Sequence, residues 1–208
     1  MKTPKAILLI SLVICIVLPI SSRAQSNNGA RQHDGFFMRF LVGAGPGSIT
    51  IDDADMEFTS TGADFHFQIG GSIAENLILF GDIGGFSLSN PEVEWQGATG
   101  TAEDVSVSAM GFGGGITYYI MPTNIFLSGS IMYVNDSIEY EDEDIGESDP
   151  GISFFISAGK EWWVGNKWGL GAAVFFEYGT PKDKADAAGN QAKMTNKIFG
   201  IMFSATMD

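Results

Sequence analysis

His66 lies in the stretch DFHFQ, with Asp64 two residues before it and Gln68 two residues after. An imidazole with a neighbouring carboxylate can do general acid–base or nucleophilic work if a hydroxyl or thiol stands within reach. DFHFQ supplies no hydroxyl. Ser72 is six residues on, roughly 20 Å along an extended strand, although Asp64 could orient the ring. The one cysteine, Cys15, sits in the N-terminal apolar run. No catalytic residue is expected, and the chain is not read as an enzyme.

Two acidic runs could do other chemistry. IDDADME carries Asp52, Asp53, Asp55 and Glu57; EYEDEDIGESD carries Glu139, Glu141, Asp142, Glu143, Asp144, Glu147 and Asp149. Oxygen-rich clusters can hold Ca²⁺, but neither run has the ligand spacing of a defined calcium loop. A solvated charge run is the expectation. No metal site and no cofactor is expected. Divalent ions bridging these carboxylates to external phosphates remain an alternative.

The elements that must hold these residues begin after residue 24. MKTPKAILLISLVICIVLPISSRAQ has Lys2 and Lys5, an apolar run from Ala6 to Ile20, and the small-residue site Ser22-Arg23-Ala24. That is the layout of a cleaved secretory signal. The run is too short for a spanning helix, which takes roughly 20 apolar residues. The expected organisation is a signal peptide at 1–24, a short periplasmic segment at 25–34 and one domain at 35–208. The leader takes Lys2, Lys5 and Arg23 with it, which leaves 8 of the 11 basic residues against all 25 acidic ones, near −17. Such a charge repels nucleic acid. The remainder has no cysteine, so disulfide and thiol chemistry are excluded.

Eight segments alternate with period two: GFFMRFLVGAG, GADFHFQIGGSI, NLILFGDIGGFS, MGFGGGITYYI, NIFLSGSIMYV, GISFFISAGKEWWV, KWGLGAAVFFEYG and KIFGIMFSATMD. Their β-branched and aromatic content and their period fit strands rather than helices. Each is about long enough to cross a bilayer at a tilt, which takes roughly 9–11 residues. Long polar connections, about 46–61, 88–104, 135–150 and 180–192, alternate with the tight turns IAEN, MPTN and VGNK. An up-and-down barrel with one end outside the cell produces that alternation. Both chain ends then fall on the short-turn side.

The two strand faces separate lipid from water. One is apolar, with Trp162, Trp168 and Tyr118 near the short turns and Tyr133 and Tyr178 near the long loops. Two aromatic girdles suit two membrane interfaces. The other face is mostly Gly, Ala and Ser, with bulk at Phe37, Phe126, Phe155, Phe175 and Trp163. A soluble β-sandwich would carry Lys, Glu, Thr and Arg there; a narrow closed tube is filled by side chains. Arg39, Asp64, His66, Gln68, Asp82, Glu161 and Glu177 fall on this inner face as a polar network. A charge inside such a tube needs a partner, so Arg39 is expected to pair with Asp82, Asp64 or Glu177.

From HDGFFMRFLVGAG through KIFGIMFSATMD the chain resembles the small eight-stranded outer-membrane barrels of the OmpA/OmpX type. The resemblance rests on patterning and carries no unique motif. It implies an all-β fold, an eight-stranded antiparallel up-and-down transmembrane β-barrel, in the outer membrane of a Gram-negative bacterium. The implied partners are outer-membrane lipid, lipopolysaccharide and the outer-membrane assembly machinery. Such barrels usually end on an aromatic residue, whereas this sequence ends FSATMD with Phe203 as its last aromatic. The function expected is structural or surface-interacting: a plugged lumen displaying acidic extracellular loops that could take an extracellular ligand. The alternatives are a passive, porin-like channel for small solutes and a lipid A-modifying enzyme. Inward aromatic bulk opposes the first, and the missing His–Ser pair opposes the second.

Overall fold

The computed structural model describes residues 32–141, 143–164, 166–182 and 191–208. The leader at 1–24 and most of the 25–34 segment lie outside these residues. In chain order the strands are β1 (Phe36–Ile51), β2 (Met56–Ala74), β3 (Leu77–Ser89), β4 (Glu92–Trp95), β5 (Ala98–Thr101), β6 (Val105–Ile120), β7 (Ile125–Tyr140), β8 (Glu143–Glu147), β9 (Asp149–Trp163), β10 (Trp168–Lys182) and β11 (Met194–Met207). Eight of them are long and form a closed antiparallel barrel. Each pairs with the next long strand, and β1 pairs with both β2 and β11, in register from Met38↔Met207 to Ile51↔Met194. Closure leaves no edge among these eight.

The strands run further than the sequence periodicity predicts. Positions 46–61 and 135–150, expected as loops, are largely continuous ladder: β1 and β2 pair out to Ile51↔Met56, and β6 and β7 to Val105↔Tyr140. The loop expected at 88–104 holds the β4–β5 hairpin, which packs on β2, and β8 adds to β7. Backbone pairing persists there with the alternation inverted: Ile49, Phe58, Leu88 and Val107 turn inward and are buried, while the outer face is polar. The β4–β5 turn has Gln96 at φ 51° and Gly97 at φ 78°. Two successive positive φ values make the hairpin turn whose twist matches its strands.

Every long strand has an apolar outer face over its lower part. Phe112, Leu127, Val174, Ile201 and Phe203 are each more than half exposed there. The same face then turns polar at one height around the barrel: Ser48 pairs with Lys197 and Thr59, and Ser108 with Ser87 and Ser137. Ser87, Ser106 and Ser108 join by hydroxyl hydrogen bonds of 2.9 and 3.0 Å. Between Tyr118 and Met110 on β6 the outer face is apolar or glycine for nine residues, about the crossing length of a tilted strand.

Candidate functional site

The inner face carries the chemistry. Alternation on each strand turns every second side chain inward, so residues distant in sequence meet in the lumen. At the short-turn end Glu161 accepts hydrogen bonds from Ser204 (2.5 Å), Thr206 (2.7 Å) and the Tyr119 hydroxyl (3.2 Å). Below it His33 stacks on Tyr119, with ring centres 3.5 Å apart. The two His33 ring nitrogens meet Asp208 at 2.7 Å and Asn124 at 2.8 Å. Asp208 lies beyond the last strand, and burial pushes its carboxyl above the usual carboxylate range while contact with His33 pulls it back.

Arg39 occupies the next level, fully buried. Its guanidinium donates to Gln68 Oε1 (2.5 and 2.9 Å), Thr117 Oγ1 (2.9 Å) and Ser128 Oγ (2.7 Å). It lies 4.6 Å from the Phe126 ring centre and 5.3 Å from that of Phe37, where the ring faces attract a cation. No carboxylate contacts it among the described residues. The expected direct pairing with Asp82, Asp64 or Glu177 is therefore corrected. Gln68 stands between, accepting from Arg39 and donating to Asp82 Oδ2 at 3.0 Å.

Above Gln68 four ionisable groups converge. Asp82 also accepts from Ser130 (2.6 Å) and meets His66 Nδ1 at 3.1 Å. The His66 ring stacks on Phe155 at 3.7 Å. Gly84 makes room for it: a Cβ there would come 2.7 Å from Nδ1. On the far side His66 Nε2 faces Asp64 Oδ1 at 3.6 Å and Glu177 Oε2 at 3.4 Å. Glu177 accepts from Ser153 at 2.7 Å through its other oxygen. Among the described residues, Asp64, His66 and Glu177 form the group whose donor atoms, all within 4.8 Å of one another, come close enough to share an ion.

The structure thus brings Arg39, Gln68, Asp82, His66, Asp64 and Glu177 into one connected column and sets Glu161 in a separate hydroxyl cage below. Asp82, rather than Asp64, is the carboxylate that orients the imidazole. Tyr118, Tyr133, Trp162 and Trp168 stand exposed on the outer face, and Tyr178 is half-buried there. Sequence reasoning missed His33, which precedes the first strand and so carries no periodic signal. It also missed a buried pair near the long loops, where Asn196 donates to Asp136 at 2.5 Å.

Charged side chains are therefore buried at the centre while large apolar ones are exposed around the outside, the inverse of a soluble domain. The fold is that of the eight-stranded outer-membrane β-barrels. No protein family matches the sequence, and no curated protein does. Solved structures do. The chain is similar to Neisserial surface protein A (NspA), with a TM-score of 0.52 and 10% identity, covering 83% of this chain and 96% of NspA. It is also similar to the outer membrane protein OprG from Pseudomonas aeruginosa, with a TM-score of 0.45 and 14% identity over 86% of this chain and 98% of OprG. The outer membrane protein AlkL, solved in lipid bilayers, gives 0.46 and 12% over 89% and 95%. At these identities the NspA likeness establishes the barrel and its topology, not a shared activity.

Proposed function

We propose that the barrel resides in the outer membrane of a Gram-negative cell with its lumen plugged, and that it serves as a structural and surface-interacting protein rather than a catalyst. The supporting observation is the filled cross-section. Arg39, Gln68, Asp82, Ser130, His66 and Glu177 link across the tube, and Phe37, Phe126, Phe155 and Phe175 fill the space between them. Eight strands leave an interior only wide enough for side chains. The displayed surface is acidic: Asp52, Asp55, Glu92, Glu94, Glu103, Asp104, Glu139, Glu141 and Glu143 are exposed at the long-loop end. Its ligand would be cationic or bridged by divalent ions.

Two measurements test this reading. Unboiled protein in detergent should migrate differently from boiled protein on a gel, as a closed barrel does. Planar bilayers containing it should show no steady conductance. Solubility without detergent and an unshifted band would refute the membrane placement, and stable ion-selective channels would refute the plug.

A further inference from the structure

Asp64, His66 and Glu177 face one another across the upper lumen in a way hydrogen bonding does not explain. Their side chains are 0–1% exposed. Both oxygens of Asp64, Oε2 of Glu177 and Nε2 of His66 lack a hydrogen-bond partner among the described residues. The gaps from His66 Nε2, 3.6 Å to Asp64 and 3.4 Å to Glu177, exceed the 2.7–3.2 Å range of a good N–H···O contact. Neighbouring donors around one metal ion, each about 2.0–2.2 Å from it, stand roughly 3.0–3.6 Å apart. The observed gaps match that spacing.

The remaining neighbours point the same way. Asp82 holds His66 Nδ1 at 3.1 Å and is itself fixed by Gln68 and Ser130. A carboxylate on Nδ1 fixes that nitrogen as the donor and leaves the Nε2 lone pair free, the arrangement found behind metal-binding histidines. Phe155 and Gly84 set the tilt of the ring. Three carboxylates, Asp64, Asp82 and Glu177, share this level with one imidazole, and the Arg39 charge is spent on Gln68 and two hydroxyls. Buried carboxylates without a counter-charge are costly. A dication offsets that excess where a single proton on His66 does so only in part.

We propose that Asp64, His66 and Glu177 form a binding site for one divalent transition-metal ion, with Zn²⁺ as the default occupant, held inside the barrel with Asp82 orienting the histidine. One nitrogen and two carboxylate oxygens suit zinc, and an imidazole disfavours Ca²⁺ and Mg²⁺, which take oxygen ligands. Three protein ligands leave a fourth position for a water molecule. The ion would cross-link β2 to β10, strands that do not pair. This site is independent of whether the barrel conducts.

The test uses the full chain extracted from membranes or refolded in detergent with ZnCl₂, then desalted and measured for metal by mass spectrometry. Folding is checked in parallel by the gel shift. The wild type should retain about one zinc per chain, and Asp64→Asn and Glu177→Gln should lose it, weakening binding at least 100-fold while still shifting on the gel. Should either variant fail to fold, Co²⁺-loaded wild-type protein provides the reading: its X-ray absorption should show one imidazole among oxygen ligands. No retained metal, retention unchanged in both folded variants, or an all-oxygen cobalt shell would each overturn the proposal. The last two outcomes would instead place the ion on the acidic loops.

Discussion

Arg39 is the residue on which the middle of the lumen depends. Arg39→Ala would strip the hydrogen bonds from Gln68, Thr117 and Ser128 and open a space among Phe37, Phe80 and Phe126. The expected loss is about 2–4 kcal/mol, from a cavity plus unsatisfied buried acceptors, read as a lower urea midpoint for unfolding. Conductance should stay near zero, since the three rings remain. The inward direction of Arg39 was legible in the sequence, because alternation assigns faces. Its partner was not. Period two says nothing about height, and the strands of a closed barrel are staggered, so which inward residues are level depends on a shear that the sequence does not state. The same gap hid the convergence of Glu177 on His66. Those residues lie 111 positions apart, and only the wrapped register puts 3.4 Å between them. The expectation of no metal site was drawn from local spacing alone.

At the scale of the strand, the outer face makes a quantitative claim. Val174 is 60% exposed in the middle of the apolar band, whereas Thr59 is exposed at the polar boundary. Val174→Arg should cost about 2–4 kcal/mol and Thr59→Arg about 0–1 kcal/mol when unfolding is followed from a lipid bilayer. Equal effects would mean that lipid does not cover the band. Strand existence, order and the long–short connection rhythm were readable because lipid-facing positions must be apolar at every second residue. Strand ends at the long-loop side were not. Beyond Ser48, Thr59, Ser108 and Ser137 the outward residues are polar, as loop residues are, while Ile49, Phe58 and Val107 are buried inside. The ladders continue because each backbone still has a partner on either side.

For the molecule as a whole, the two ends of the described chain meet. His33 and Asp208 join at 2.7 Å beneath the barrel, with Asn76 and Asn124 of two turns drawn in: the His33 amide donates to Asn76 at 3.2 Å, and its ring meets Asn124. His33→Ala should lower stability by about 1–3 kcal/mol, through lost hydrogen bonds and the lost stack on Tyr119, and should speed amide exchange at the short-turn mouth relative to the lumen. An unchanged exchange pattern would mean that this end closes without it. The extended upper strands have a different consequence. From Ser137 to Tyr140 β7 climbs three residues past the polar boundary, roughly 7 Å after tilt. The Debye length at physiological ionic strength is ~8 Å. In a bilayer seated on that boundary, the exposed Glu139 therefore stands within one screening length of the lipid headgroups. A rim this acidic and an anionic surface feel each other through the salt, so the barrel's place in such a surface should grow more favourable as ionic strength or divalent-cation concentration rises.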